Sequence, residues 1–356
     1  MLQPGARLGP YQVLALLGSG GAGIVYDARE LSTGTPVALK VLVDGVQPSD
    51  VARLKREVDI LKRLDDPHVV GYLGGDLAHD PPYIAMRRVS GESLAHILAE
   101  GDGTQPGAVS FPLPLAAEWA ADLARALAAA HARGILHRDI KPQNVMIEAV
   151  AGARSRAVLI DFGLGRAEGA SGPALTGTGD FIGTMAYASP EHIEGPIIAA
   201  SDVYQWGLVV YQLLFGKLPN MDADPIEGMQ RRVTQGVEVP VPADEPFASL
   251  AGIVQRTLSP DPAARPIDGA RLCEQIAELP AAGPRAARPP VTQPQESLAP
   301  PAPVPAQHTE EAPPQAPAAA PTAARWAFIL VVVLMILAVA AVILDLWPRV
   351  SSPSAP

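Results

Sequence analysis

The fold of this chain is decided by the stretch His137-Arg138-Asp139-Ile140-Lys141-Pro142-Gln143-Asn144, which Asp161-Phe162-Gly163 follows, beginning seventeen residues beyond Asn144. Together the two segments contain two aspartates, an asparagine and a lysine. Two further motifs precede them in the chain, a glycine-rich turn and a lysine in a predicted strand. Chance occurrence of all these motifs in this order is negligible, so they are interpreted together.

The glycine-rich turn is Gly18-Ser19-Gly20-Gly21-Ala22-Gly23-Ile24-Val25, a G-x-G-x-x-G-x-V pattern between two predicted strands. Glycines allow the backbone to approach phosphate groups closely. The same pattern occurs in dinucleotide-binding turns and in structural hairpins, but a dinucleotide-binding turn opens a helix. Here Val25-Tyr26 continues as a strand and Gly34 marks another turn. Dinucleotide binding is therefore disfavoured.

The strand lysine is Lys40, which shares one face of its predicted strand with Ala38. A strand lysine is usually a solvated edge residue. In the next predicted helix, however, Glu57 lies on the apolar stripe, where an unpaired carboxylate is costly. The sequence therefore predicts an ion pair between Lys40 and Glu57.

With these motifs in this order, residues 11–279 resemble the eukaryotic-type (Hanks-type) serine/threonine protein kinases, and most of all the bacterial membrane-anchored group. The resemblance implies that family's bilobal α+β fold, with a small β-rich lobe at about 11–86 and a large helical lobe at about 90–279. The apolar pattern agrees, because alternating strands give way to a helical period near Ser49 and Asp50. We expect one of these two residues to be the N-cap of that helix.

By resemblance, five positions act at the reacting phosphate. Asp139 accepts or orients the proton of the substrate hydroxyl, and Lys141 neutralises the transferring phosphoryl group. Asn144 and Asp161 hold Mg²⁺, or Mn²⁺ in its place, against the phosphates of ATP. Thr184 bonds to Asp139 and Lys141 and positions the substrate. Such groups suit the chemistry, because phosphoryl transfer needs mainly positioning and countercharge.

The resemblance also implies the residues that contact ATP. They are Leu17, Gly18, Gly20, Gly23, Val25, Ala38, Lys40, Glu57, Met86, Val89 and Met146. Met86 stands at the gatekeeper position, and Val89 offers backbone hydrogen bonds. The hinge reads Met86-Arg87-Arg88-Val89 where the family often has an acidic and then an aromatic residue. This departure affects inhibitor contacts more than ATP binding, because the hinge bonds to ATP come from the backbone.

Other positions have supporting roles in the family. Asp202 is expected to brace the catalytic loop, and Arg265 to pair with Glu191. The lysine two residues after Asp139, together with Gly183-Thr184, favours serine/threonine over tyrosine specificity.

Regulation is expected in the loop from Leu164 to about Met185, which is poor in apolar residues. In the family, the arginine at the position of Arg138 receives a phosphate from this loop. Thr176 and Thr178 fall where related bacterial kinases phosphorylate themselves. A phosphothreonine there would form charge-assisted bonds with Arg138 and order the loop.

Composition limits the remaining possibilities. The formal net charge of -10 and the absence of a Lys/Arg run argue against nucleic acid as a partner. The single cysteine, Cys273, cannot form an internal disulfide, and residues 1–16 have no pattern of a cleavable secretory signal. The main body is therefore expected to be cytoplasmic.

The C-terminal part has a different composition. Residues 280–324 contain 13 prolines and are predicted to be a disordered Pro/Ala-rich linker. Trp326 to Leu344 are 19 uninterrupted apolar residues, close to the ~20 that cross a bilayer as a helix. We expect a single-pass anchor in the cell membrane at 326–344, with 345–356 as a short extracytoplasmic tail.

Two other functions were weighed. A pseudokinase scaffold would recruit partners to the membrane through the linker, but no catalytic position is substituted. A small-molecule phosphotransferase of the same fold is disfavoured by the complete segment Asp161–Glu191, which in the family presents a peptide hydroxyl. A homodimer, the substrates and the activating signal are left open by the sequence.

Overall fold

The computed structural model of this protein describes residues 1–20, 23–43, 46–100, 113–162, 186–193, 195–220, 225–241 and 247–279. All of them fall within one compact unit, Met1–Arg288. Several predicted features lie outside the described residues, namely Gly21, Ala22 and Gly163 of the motifs, the loop Leu164–Met185 with Thr176, Thr178 and Thr184, and residues 280–356 with the linker, the apolar segment 326–344 and the tail.

The small lobe contains one antiparallel sheet of six strands. Its strands are β1 (Arg7–Leu8), β2 (Tyr11–Gly20), β3 (Gly23–Glu30), β4 (Pro36–Val41), β5 (Tyr72–Asp76) and β6 (Tyr83–Arg87). Their spatial order is β1-β2-β3-β4-β6-β5. Gly20 pairs with Gly23 at the end of the β2–β3 hairpin. Gly23 has φ of 120°, and a Cβ there would lie 2.7 Å from the Val41 carbonyl oxygen, so this position requires glycine.

Helix α1 (Pro48–Leu61) follows β4 and packs its apolar stripe into the core. The predicted N-cap at Ser49 or Asp50 is wrong, because the N-cap is Gln47. Proline suits the first helical position, where no N–H is needed. Asp50, in the first turn, accepts a 3.0 Å hydrogen bond from the Gln47 N–H, which fixes the start of the helix.

The large lobe contains a three-stranded sheet and, in the described residues, six helices. These elements are β7 (Gly91–Ser93), β8 (Val145–Glu148), β9 (Arg156–Leu159), α2 (Leu94–Glu100), α3 (Leu113–His131), α4 (Ala199–Phe215), α5 (Pro225–Gln235), α6 (Phe247–Thr257) and α7 (Gly269–Ala277). Helix α4 packs against α3 and α6, and 14 of its 17 residues are buried. Two of its buried polar side chains, Asp202 and Gln205, bond to backbone groups of neighbouring segments. A β-rich lobe followed by a helical lobe confirms the predicted fold class.

Two connections between these elements carry several of the predicted site residues. The hinge runs from the end of β6 to β7, and the catalytic loop runs from the end of α3 to the short 3₁₀ helix Pro142–Asn144. Across the described segments, none of the helices combines the length and apolar character that spanning a bilayer requires.

Candidate active site

A cavity of about 710 Å³ opens between the β2–β3 hairpin, the hinge and strand β8. Ten of the eleven predicted ATP contacts line it, namely Leu17, Gly18, Gly20, Gly23, Val25, Ala38, Lys40, Met86, Val89 and Met146. The eleventh, Glu57, binds Lys40 and lines a smaller cavity nearby. The volume lies within the ~300–1,000 Å³ typical of sites for small ligands. The structure therefore gathers at one cavity residues that lie far apart in the sequence.

Lys40 is held between two carboxylates at one wall of this cavity. Its Nζ lies 2.9 Å from each carboxylate oxygen of Glu57, which confirms the predicted pair, and 2.6 Å from Oδ1 of Asp161. Lys40 and Glu57 are 3% and 5% exposed. Burial would lower the pKa of the Lys40 ammonium, but the charges of Asp161 and Glu57 together raise it above its ordinary value. The ammonium therefore stays charged and fixed in position.

Asp161 presents its carboxyl group to the cavity with 46% of the side chain exposed. Desolvation would raise the pKa of this carboxyl, but the ammonium of Lys40 lowers it below its ordinary value. Asp161 has φ of 56°, a left-handed conformation that is strained for a residue other than glycine. The ring of Phe162 packs 4.7 Å from that of His137, which ties this turn to the catalytic loop.

The catalytic loop brings three of the predicted residues into contact. Oδ2 of Asp139 lies 2.9 Å from Nζ of Lys141. Asn144 donates from Nδ2 to the backbone oxygen of Asp139 at 2.8 Å and to its Oδ2 at 3.2 Å. Because the NH₂ end of the Asn144 amide faces Asp139, the amide oxygen is directed elsewhere and can serve as a ligand.

Asp202 on helix α4 holds the start of the catalytic loop, as the resemblance implies. Its carboxylate accepts 2.8 Å hydrogen bonds from the backbone N–H groups of His137 and Arg138, and a 2.9 Å bond from Nε2 of His131. Burial would raise the pKa of Asp202, but the hydrogen bond and charge of His131 help to lower it. Arg138, with φ of 69°, is thereby held in a left-handed conformation.

The segment from Ala186 to His192 runs beside the catalytic loop. Glu191 pairs with Arg265, with Oε1 2.9 Å from Nη2, as the resemblance implies. Nδ1 of His192 accepts a hydrogen bond from the Ser189 N–H, so its Nε2 carries the proton and donates to the Arg138 carbonyl at 3.0 Å. We call residues 186–189 the acceptor strip, because they belong to the segment Asp161–Glu191 that, by the resemblance, is expected to present a peptide hydroxyl.

The two hinge arginines are each neutralised by a carboxylate of the chain. Nε of Arg88 bonds to Oδ1 of Asp27 on β3 at 3.1 Å, and its Nη1 donates to the carbonyl oxygen of Val89. Arg87 bonds to Glu148 on β8. The unusual hinge sequence is therefore matched by acids on β3 and β8, and the acid on β8 also pairs with Arg156.

The side chains present suit ATP with a divalent cation. Mg²⁺ prefers oxygen ligands and takes one or two carboxylates together with phosphate oxygens and water. The partly exposed carboxylate of Asp161 and the amide oxygen of Asn144, the end of the amide that does not bond to Asp139, could supply such donors. Lys40 would supply the countercharge for phosphate oxygens, and the β2–β3 hairpin would let the backbone approach them.

Several residues that line the cavity were missed by the sequence reasoning. They are Ser19, Val70, Arg87, Arg88, Gly91, Glu92, Ser93, His96, Gln143 and Ile160. Ser19, Gln143, Arg87 and Arg88 stand inside the quoted motifs without a role assigned to them, and Ile160 adjoins Asp161, so their positions were a usable signal. Val70 and His96 belong to segments without a motif, so only the fold brings them to the cavity.

The predicted regulatory and substrate-positioning threonines, Thr176, Thr178 and Thr184, lie outside the described residues. Arg138, the predicted partner of the phosphate, lies in the catalytic loop.

Comparison with known proteins finds a matching family and several relatives of this chain. The family profile described as "Protein kinase domain" matches residues 11–278. Serine/threonine-protein kinase PknD of Mycobacterium tuberculosis is 38% identical over 234 residues, which cover 63% of this chain and 32% of PknD. Serine/threonine-protein kinase pkn2 of Myxococcus xanthus is 34% identical over 289 residues, covering 78% of this chain and 33% of pkn2. Serine/threonine-protein kinase PknB of Mycobacterium tuberculosis is 34% identical over 261 residues, covering 71% and 40%. The chain thus spans about a third of the length of these curated relatives.

Proposed function

Because the chain belongs to the protein kinase family, among its bacterial eukaryotic-type serine/threonine members, we propose that it transfers the γ-phosphoryl group of ATP to serine and threonine hydroxyls of proteins, including its own. One observation carries this proposal. Lys40, bound to Glu57 and Asp161, faces the same cavity as Asp161 itself, and the contacts among Asp139, Lys141 and Asn144 lie in the adjoining catalytic loop.

Under this proposal, the chain's own residues have the roles that the resemblance implies. Bound ATP with Mg²⁺ supplies the phosphoryl group and the cation that shields its charge. Lys40 would orient the phosphates, and Asp161 and Asn144 would hold the cation through their oxygens. Asp139 orients the acceptor hydroxyl and takes its proton, and Lys141 compensates the charge of the transferring group. Because Lys40 and Asp139 are each fixed by contacts before any substrate binds, little reorganisation is needed during transfer.

The test is phosphate transfer from radiolabelled ATP to casein by the full chain and by Asp139→Asn. We expect the substitution to lower turnover by at least about a hundredfold, as expected for a single group of this kind, with nucleotide affinity retained. A folded Asp139→Asn variant with near-native turnover would refute the mechanism. A native chain that binds ATP but transfers nothing would favour the pseudokinase scaffold instead.

We also propose that the chain is a single-pass protein of the cell membrane with its kinase domain in the cytoplasm. The support is the run of 19 apolar residues at 326–344, together with the need of the site for cytoplasmic ATP. The Pro/Ala-rich linker 280–324 would then separate the kinase domain from the bilayer.

We further propose autophosphorylation of Thr176, Thr178 or both as the activating step. The support is their position in the loop and the placement of Arg138 beside Asp139, where it can receive a phosphate. Mass spectrometry of the purified active enzyme should find phosphate on one or both threonines, and a double alanine variant should lose most activity toward casein while still binding ATP. Full activity with both threonines unmodified would contradict this.

A further inference from the structure

Gln205 lies on helix α4 one turn after Asp202, on the side of the helix that faces the catalytic loop. It is 2% exposed. Its Oε1 accepts a 3.1 Å hydrogen bond from the backbone N–H of Ile140, and its Nε2 donates a 3.2 Å bond to the carbonyl oxygen of Tyr187. One side-chain amide therefore joins two separate backbone segments.

The orientation of this amide is determined by its partners. A backbone N–H needs an acceptor and a carbonyl needs a donor, so only one of the two amide orientations satisfies both. Ile140 is 1% exposed and Tyr187 is 6% exposed. At such burial, a lost bond leaves a polar group without a solvent partner, which is costly.

The two segments joined by Gln205 have different tasks in the proposed reaction. Ile140 stands between Asp139 and Lys141, so its N–H is at the centre of the catalytic loop. Tyr187 belongs to the acceptor strip. A second helix, α5, also holds the strip, because Nη2 of Arg232 donates to the Ala186 carbonyl at 2.8 Å.

We propose that Gln205 is a positioning residue that sets the spacing between the catalytic loop and the acceptor strip, and so the placement of the acceptor hydroxyl against Asp139. This inference rests on the proposed kinase function. Gln205 touches neither the reacting atoms nor the cavity-lining groups that would hold ATP. Its removal should therefore impair use of the protein acceptor and leave use of ATP unchanged.

The first test replaces Gln205 by leucine, which has a similar size and bonds to neither segment. With casein as acceptor, we expect kcat/KM for casein to fall about tenfold or more, the scale of one buried hydrogen bond, while KM for ATP stays within about twofold of the native value. A folded Gln205→Leu enzyme with native casein kinetics would overturn the inference.

Gln255 on helix α6 is the matched control. It makes the same fork, accepting from the Val239 N–H at 2.8 Å and donating to the Val237 carbonyl at 2.7 Å. It contacts neither the catalytic loop nor the acceptor strip. Gln255→Leu should leave both kinetic constants within about twofold of native, because these two bonds only hold one loop to α6. An equal loss of casein turnover in both leucine variants would reduce the role of Gln205 to general stability and overturn the inference.

A second variant decides the question if Gln205→Leu fails to fold. In Gln205→Glu the acceptor for Ile140 is kept, but an ionised carboxylate faces the Tyr187 carbonyl. Burial raises the pKa of a carboxyl, so this glutamate gains a proton as pH falls and can again donate to the Tyr187 carbonyl. The ratio of variant to native kcat/KM for casein should therefore be at least about threefold higher at pH 6 than at pH 8. Both enzymes contain the same charged neighbours, so the titration of these neighbours cancels in this ratio. They are Asp139, Lys141, Asp202 and Arg232. A ratio that does not change with pH would overturn the inference.

The native chain, measured in parallel, shows whether the proposed kinase function fails or only the role of Gln205. If it transfers no more phosphate than Asp139→Asn, the proposed function fails and this inference fails with it. If the native chain is active and the Gln205 variants match it, only the role of Gln205 is refuted.

Discussion

At the scale of single residues, the buried ammonium of Lys40 forms ion pairs with two carboxylates. Glu57 holds it from helix α1, and Asp161 holds it from the segment after β9. The position of the lysine therefore depends on α1 and on that segment being in place together.

Removing this ammonium should harm stability and activity in different ways. In Lys40→Met, the carboxylate of Glu57 remains buried without a cation, which should lower the free energy of unfolding by about 3–5 kcal/mol. The double variant Lys40→Met/Glu57→Gln removes the unpaired charge of Glu57, while Asp161 still lacks its cation. It should regain part of that stability, but no phosphate transfer. Denaturant unfolding and casein phosphorylation measure the two effects. Recovery of activity in the double variant would contradict the role of Lys40.

The ion pair of Glu191 with Arg265 predicts a dependence of stability on pH. Burial would raise the pKa of Glu191, but the hydrogen bond and charge of Arg265 lower it below its ordinary value. A carboxyl whose pKa is lower in the folded than in the unfolded state stabilises the fold above its unfolded pKa, and this contribution is lost as pH falls through the folded pKa.

The difference in unfolding free energy between the native chain and Glu191→Gln should therefore shrink as pH falls from about 5 to about 3. Denaturant titrations at several pH values measure this difference. A difference that is constant over the whole range would show that the charge of Glu191 is not the source of the stabilisation.

At the scale of elements, the contact between α4 and α6 depends on a glycine. A Cβ on Gly207 would lie 2.2 Å from Oγ1 of Thr257 and 3.0 Å from Cδ2 of Leu258, and both residues are fully buried. Helix α4 carries Asp202 and Gln205, so this contact also supports the catalytic loop.

Gly207→Ala should therefore destabilise the fold, although alanine favours helix by up to about 1 kcal/mol. Overpacking typically costs about 1–3 kcal/mol, so we expect a net loss of stability. Gly252→Ala on α6 is the control, because the nearest atom to its added Cβ lies 4.0 Å away. That variant should gain about 0.5–1 kcal/mol. Thermal unfolding of both variants decides the matter, and equal gains would refute the close contact.

Local signals in the sequence were sufficient for the order of elements and for the pair Lys40–Glu57, because strand alternation and helix period repeat over many residues. The start of α1 was misjudged. The rule for N-caps favours short polar residues such as Ser49. The helix begins earlier in the chain, because Pro48 occupies its first position and the Gln47 N–H donates a hydrogen bond to Asp50.

Gln205 shows what could not be predicted. Its partners, Ile140 and Tyr187, lie 65 and 18 residues away in the chain. No local pattern marks a glutamine whose role depends on three segments meeting at one place. The only hint was its position three residues after Asp202, which puts both side chains on one face of a helix.

At the scale of the whole molecule, the proposed anchor predicts how the chain partitions. The full chain should remain with membranes after an alkaline wash, because a 19-residue apolar helix is held by the bilayer core. A chain lacking residues 280–356 should be recovered in the soluble fraction with native activity toward casein. Protease added to intact cells should leave the kinase domain uncut, and its digestion would contradict a cytoplasmic location.

The bond from Arg88 to the Val89 carbonyl has a consequence for chemical probes. A flat heterocycle that donates a hydrogen to that carbonyl has to compete with a guanidinium already held by Asp27. A scaffold that uses the Val89 N–H and makes no demand on the carbonyl meets no such competition. Compound libraries screened against this chain should therefore be enriched in the second kind of scaffold, and Arg88→Ala should make the enzyme sensitive to the first.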